Sequence, residues 1–255
     1  MVLLSTSLKL IFLTHEQRLG LHCLVTLVAA LALFPRTTQA QSSPSSASLN
    51  SIASMEVIGG KAESVTYRGR QATHLVPSSE GNGAADSVIA ILGGPEFGDG
   101  IIEADVAGAP RPGVAPDSRG FIGVAFHVQA HASRFEDIYL RPTNGRADDQ
   151  LRRNHSVQYV SEPDFPWQRL RQENPGVYES YADLEPGVWT KMKIEIAGTA
   201  ARLYINGAAQ PCLIVNDLKM GKSHGQVALW IHASTDGYFS DLRIEPAQTH
   251  EGDHK

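Results

Sequence analysis

The chain has 255 residues, 42% hydrophobic and 19% charged, with a formal net charge of −5. That is the composition of one large β domain or two small ones, and its mild acidic excess argues against nucleic acid or anionic membrane as partners, since both demand clustered Lys and Arg. Its Gly 23 and Pro 14 suit many turns between short strands.

The N-terminus reads as a leader. Cys23-Leu-Val-Thr-Leu-Val-Ala-Ala-Leu-Ala-Leu-Phe34 is a short apolar run preceded by Lys9 and Arg18 and followed by Thr38-Gln-Ala40, an A-x-A-like cleavage signal. The run falls short of the about 20 apolar residues that span a bilayer. A cleaved signal peptide over 1–40 is preferred to an uncleaved anchor, with export to the periplasm or the outside and no membrane insertion after cleavage. Cleavage leaves Cys212 alone, so no internal disulfide forms, and its place between Pro211 and Leu213-Ile-Val marks it as a small buried hydrophobe. Residues 41–54 are a Ser-rich linker with nothing to bury.

Strand-like runs follow from Met55. Met55–Ile58, Ser64–Tyr67 and Ala72–Val76 are short and separated by Gly59-Gly60 and charged turn residues. Ser87–Leu92 is brief and apolar, and in Ile101–Val106 the residues Ile102, Ala104 and Val106 share a face. A loop over Ala109–Ser118 feeds Phe121–Gln129, where Ile122, Val124, Phe126 and Val128 are expected in the core and Gly123, Ala125, His127 and Gln129 on the opposite face. Phe135–Arg141 repeats the pattern, with Ile138 and Leu140 inward and Tyr139 and Arg141 outward. For His155–Ser161 two sets are open: either Val157 and Tyr159, or Ser156, Gln158 and Val160, face the site.

Pro163–Gly187 carries Trp167, Arg169, Arg171, Tyr178 and Tyr181 among its prolines, and a connection of that length is expected to form a lid or rim around a short helical turn. Trp189–Ile196, a tight turn at Gly198-Thr199 and Arg202–Ile205 make a hairpin, with Met192, Ile194 and Ile196 beside Leu203 and Ile205. In Gln226–His232, Val227, Leu229 and Ile231 point one way and Gln226, Ala228, Trp230 and His232 the other. Residues 247–255 read as a disordered tail. With no amphipathic helix of three turns and no repeat of 20–50 residues, the pattern predicts an all-β antiparallel sandwich or barrel in one domain over 55–246.

Collecting the outward residues gives His127, Gln129, Tyr139, Arg141, Trp230 and His232, with Gln158 and His155 as open additions. Trp offers a flat platform for the C–H face of a sugar, and Gln, His and Arg offer directional hydrogen bonds. Imidazole can serve as a base, Tyr as an acid, and Arg can steady an enolate or carboxylate. The bland alternative is that these groups are solvated or bonded to one another. Glu103-Ala-Asp105 has Gly108 where a second Glu would complete an E-x-D-x-x-E box, and Glu136-Asp137 point to opposite faces of one strand, so a two-carboxylate mechanism is disfavoured. No cofactor is identified; Asp148-Asp149 leave room for a divalent cation such as calcium, with solvation the simpler reading.

Trp189…Lys193-Ile-Glu-Ile-Ala-Gly198…Leu203-Tyr-Ile-Asn-Gly207 with Gly225-Gln-Val-Ala-Leu-Trp230…Tyr238-Phe-Ser-Asp-Leu-Arg-Ile244 resembles the concanavalin A-like lectin/glucanase superfamily, and within it laminin-G-like and 3-keto-disaccharide hydrolase (DUF1080) domains. The resemblance covers Met55 to Pro246. It implies a jelly roll of two curved antiparallel sheets with a carbohydrate ligand on the concave face, where the outward residues of 121–129, 135–141 and 226–232 would lie. On this reading the protein is an exported enzyme that cleaves an oxidised or acidic sugar by hydrolysis or elimination. His127 or His232 would act as base and Tyr139 as acid, and Arg141, Gln129, Gln158 and Trp230 would hold the substrate. The alternatives are a non-catalytic glycan-binding module using the same face and a structural sandwich with no small ligand. The oligomeric state is left open.

Overall fold

Alternation of apolar and polar residues is carried through into paired strands. The computed structural model describes residues 54–78 and 86–247. The expected leader, nearly all of the expected linker and most of the expected tail lie outside the described residues. The first sheet runs, edge to edge, β1 (Glu56–Ile58), β4 (Ser87–Ile91), β13 (Gln226–His232), β6 (Ile122–Val128), β7 (Phe135–Leu140), β8 (Val157–Glu162) and β9 (Glu179–Ser180). The second runs β12 (Leu213–Val215), β11 (Ala200–Ile205), β10 (Thr190–Ala197), β5 (Gly100–Pro110), β14 (Thr235–Pro246), β3 (Arg70–Pro77) and β2 (Gly60–Tyr67). All pairings are antiparallel. Three of the four edge strands hold only two or three residues, which leaves little open ladder for another chain to pair with.

The core lies between the sheets. Ile122, Val124, Phe126, Ile138, Leu140, Val227, Leu229 and Ile231 of the first sheet meet Ile102, Val106, Met192, Ile194, Leu203 and Phe239 of the second. The β10–β11 hairpin has the expected register, with Met192 opposite Ile205 and Ile194 opposite Leu203. Burial alternates strictly along β10, so the outer face of the second sheet is wet there. Cys212 is half-buried against the core, where burial pushes its thiol up to about 11.

The first sheet differs. Every residue of β6 and β7 is buried, and all but the last of β8. Both faces of its centre are therefore covered, one by the core and the other by a small apolar cluster of Ile89, Ile91, Ala125, Val128, Phe135 and Ala228 together with the surrounding loops. The connection over 163–187 holds α3 (Trp167–Glu173) and β9, in keeping with a short helical turn inside a rim. Two shorter helices, α1 (Pro142–Gly145) and α2 (Gln150–Asn154), link β7 to β8. Among the described residues no helix is long and apolar enough to cross a membrane.

Candidate functional site

A cavity of about 710 Å³ opens on the outer face of the first sheet. Its floor is built from alternate residues of three strands, because the side-chain period of two brings every second residue to the same face. Trp230 and His232 come from β13, Asp137 and Tyr139 from β7, and Val160 and Glu162 from β8. The loop before β6 adds Ser118 and Phe121, and the connection to α3 adds Pro166 and Trp167. Trp167 is 38% exposed at the rim, so it can meet a ligand without moving other groups.

Trp230 and Tyr139 form the aromatic wall, with ring centroids 5.1 Å apart at 32°. Gly123 makes this contact feasible. It lies across from both residues in the strand registers, and a Cβ there would sit 2.5 Å from the Ile138 carbonyl oxygen and 2.6 Å from the Tyr139 Cβ. The room expected above the sheet at Gly123 is thus taken up by the two rings.

Tyr139 is 4% exposed, and its hydroxyl oxygen accepts a hydrogen bond from Arg141 Nη2 at 3.0 Å. Burial raises its pKa to about 12 despite the opposing pull of Arg141, so the phenol remains a protonated donor at neutral pH. Arg141 is fully engaged. It also donates to Gln158 Oε1 at 3.2 Å and to the His155 carbonyl at 3.0 Å, and it lies 3.9 Å from the Glu179 carboxylate. Gln158 in turn donates to the carbonyls of Tyr159 and Tyr178. The open choice in β8 is thereby decided: Gln158 and Val160 face the site, while Val157 and Tyr159 enter the core. Arg141 and Gln158 stand behind the wall and support Tyr139; they do not line the cavity.

His232 lines the cavity with a fixed tautomer. Its Nδ1 accepts from the Ser234 backbone N–H at 3.1 Å and lies 2.7 Å from Ser234 Oγ, which is itself 2.7 Å from Ser118 Oγ. An Nδ1 that accepts from a backbone N–H carries no proton, so the ring's hydrogen sits on Nε2. Burial lowers its pKa, and the imidazole is neutral at pH 7. It serves as a hydrogen-bond donor.

His127 is a correction. The strict alternation read for Phe121–Gln129 places it on the outer face, but β6 carries a bulge between Ala125 and Val128, where the pairing with β13 shifts register. His127 adopts φ 52, follows Phe126 inward and is 0% exposed. Beyond the bulge the parity reverses, so Val128 leaves the expected core set and joins the apolar cluster on the outer face. Inside, His127 Nδ1 lies 2.7 Å from Glu136 Oε2 and Nε2 lies 3.1 Å from the Gly98 carbonyl oxygen. Tyr159 donates to Glu136 Oε1 at 2.6 Å, and the Met220 N–H at 3.2 Å. This is a buried bonded network away from the cavity. Gln129 is also elsewhere, donating to the carbonyls of His127 and His224. The contacts that remove these two residues are long-range ones that a single-strand pattern does not contain.

Asp137 is the group that reading of single strands missed. It is 0% exposed, lines the cavity, and neither carboxylate oxygen has a hydrogen-bond partner. Burial, then the charge of Glu162, raises its pKa well above the ordinary range. Glu162, only part-buried, is raised by burial as well. In the β7–β8 register Asp137 pairs with Val160, so Glu162 is its diagonal neighbour on the same face. Glu136 and Asp137 do point to opposite faces, as expected, but the second carboxyl is supplied by the next strand. Among the described residues no cluster of three or more His, Cys, Asp or Glu is arranged to hold a metal. Asp149, weighed as a calcium ligand, caps α2 by accepting from the Arg152 N–H at 3.0 Å.

No protein-family profile matches the chain, and no curated protein matches it. Solved structures do. A carbohydrate-binding module, CBM66, from Bacillus subtilis superposes with a TM-score of 0.51 at 14% identity, covering 75% of this chain and 95% of the module. A Bacillus subtilis protein of unknown function with a galectin-like fold gives 0.51 at 13% identity, over 78% and 91%. The cellulose-induced protein Cip1 gives 0.50 at 14%, over 78% and 94%. The fold is a two-sheet antiparallel β-sandwich of the galectin-like, jelly-roll kind. At these identities the likeness concerns the fold alone, and a function has to come from the cavity's own side chains.

Proposed function

We propose that the cavity on the outer face of the first sheet binds a carbohydrate. The observation that carries this reading is the combination, in one cavity, of the Trp230–Tyr139 wall with the unpartnered Asp137 carboxyl. A sugar ring presents an apolar C–H face to an aromatic surface and hydroxyls around its edge, and the cavity offers both kinds of partner. Tyr139 and His232 donate, while Ser118 and Ser234, whose hydroxyl hydrogens are used along the chain to His232 Nδ1, can accept. That CBM66 is a carbohydrate-binding module of the same fold supports the reading. Binding to a glycan array tests it: the protein should retain at least one saccharide class, and Trp230→Ala should lower retention at least about tenfold, the order expected when a buried aromatic anchor is removed. Equal retention by both proteins would contradict it.

Catalysis is a second reading, favoured by one observation: two carboxyls with raised pKa values share the cavity. A carboxyl that keeps its proton near neutrality can protonate a glycosidic oxygen while a second one assists water. Asp137, whose carboxyl is raised the further of the two, would be the acid, and the more accessible Glu162 the base that assists water. The chemistry first expected, with His127 or His232 as base on an oxidised or acidic sugar such as a 3-keto-disaccharide, loses support. His127 is withdrawn, Nδ1 of His232 is occupied, and Arg141 is committed behind the wall. Release of reducing ends from a glycoside panel by the wild type, abolished in Glu162→Gln with binding kept, would favour catalysis over binding alone.

A further inference from the structure

We propose that the saccharide taken by this cavity is an amino sugar, with Asp137 receiving its primary ammonium. The inference rests on the carbohydrate-binding reading and names the ligand class for the same site.

The carboxyl groups around the cavity face no cationic side chain. Asp86, Asp117, Asp137 and Glu162 line it, with no Lys or Arg among the lining residues. Two of the guanidiniums close to it are held by protein partners. Arg141 is held by Tyr139, Gln158, the His155 carbonyl and Glu179, and Arg134 by Asp164 at 3.1 Å. Arg119, close to Asp117, reaches back to the Ser118 carbonyl at 3.5 Å. A uronic acid would bring a further carboxylate beside these acidic groups with no cation among the lining residues to meet it, and like charges brought together in a half-buried site repel. An ammonium meets the opposite situation.

Asp137 makes the preference specific. A buried carboxyl with two unbonded oxygens is a cost to the folded protein that a ligand can relieve, and most buried polar groups have partners. An ammonium has three donors and a full charge, so its arrival favours release of the Asp137 proton to solvent and pairs with the carboxylate, offsetting the cost of ionising it beside Glu162. The aromatic wall adds to this, since a cation beside Trp is favoured over a neutral group of the same size. A neutral hydroxyl can bond Asp137 but leaves the paired carboxyls uncompensated.

The test is isothermal titration of the full chain with three oligosaccharides of equal length: glucosamine, N-acetylglucosamine and glucose oligomers, below the pKa of the amine. The glucosamine oligomer should bind at least about tenfold more tightly than either neutral one, the order of one charge-assisted hydrogen bond. Asp137→Asn keeps the side-chain shape and cannot ionise, and it should erase that preference while keeping the neutral sugars within about threefold of wild type. A preference that survives Asp137→Asn overturns the proposal, because a polycation drawn only to a chain of net charge −5 would show it. Equal or tighter binding of a neutral oligomer also overturns it, while leaving carbohydrate binding intact. Binding of none of the three by folded protein would sink the carbohydrate reading along with the inference.

Discussion

Asp137 holds its proton more tightly than a free carboxyl because it is buried and Glu162 sits diagonally across the ladder. This has a measurable thermodynamic consequence. Its folded-state pKa is raised well above the ordinary 3.8, so between those values the folded protein holds a proton that the unfolded chain has lost. The stabilisation is fully present below the unfolded pKa and is lost as pH rises through the folded one. Glu162 acts in the same direction. Asp137→Asn, which cannot ionise, should therefore gain in Tm relative to wild type as pH rises from about 4 to about 8, with roughly 2–4 °C for each kcal/mol in a domain of this size. A Tm difference independent of pH would count against an Asp137 that is neutral when folded. Other residues of the cavity were legible from strand parity alone. Tyr139, Trp230 and His232 stand on the expected face and line the cavity. The importance of Asp137 was not, since its partner in charge is 25 positions away and depends on the β7–β8 register.

At the scale of the element, β6 shows where alternation fails. Ile122 to Phe126 follow the period of two, and a single bulge then inverts everything beyond it. Nothing in Phe126-His-Val-Gln129 announces the bulge. The physical reason for it lies outside the strand, in Glu136, Tyr159 and the Gly98 carbonyl, which await His127 in the interior. His127→Ala should leave saccharide affinity within about twofold but cost about 3 kcal/mol of stability in urea unfolding, because it removes the partner of a fully buried carboxylate. Loss of binding with stability unchanged would restore His127 to the site. Gly123 gives the complementary case on the same strand. Gly123→Ala places a methyl against Tyr139 and the Ile138 carbonyl, so it should move the tyrosine, weaken saccharide binding and change the near-UV circular dichroism of the Trp230–Tyr139 pair. An unchanged near-UV spectrum with full affinity would show that the wall does not depend on the glycine.

For the whole molecule, the sandwich was the most legible feature. The β10–β11 hairpin and the alternation of β13 appear as read, because each depends on local spacing that the sheets then reuse. What sequence could not supply was which sheet has both faces covered, since that is set by loops over 115–121 and 163–168 closing over β6, β7 and β8. The molecule also offers a second aromatic surface on the second sheet, where Tyr67 and Tyr238 stack with centroids 3.8 Å apart and Trp189 meets Tyr67 edge-on at 5.6 Å. It lacks the pair of raised carboxyls, and Tyr238→Ala should leave saccharide titration unchanged. The most direct measurement for the molecule as a whole is a crystal structure with a glucosamine oligomer bound. The account predicts one sugar ring lying against Trp230, with its amine nitrogen about 2.7–2.9 Å from a carboxylate oxygen of Asp137. A ligand seated on the Tyr67–Tyr238 stack, or one in the cavity that leaves both Asp137 oxygens unbonded, would contradict it.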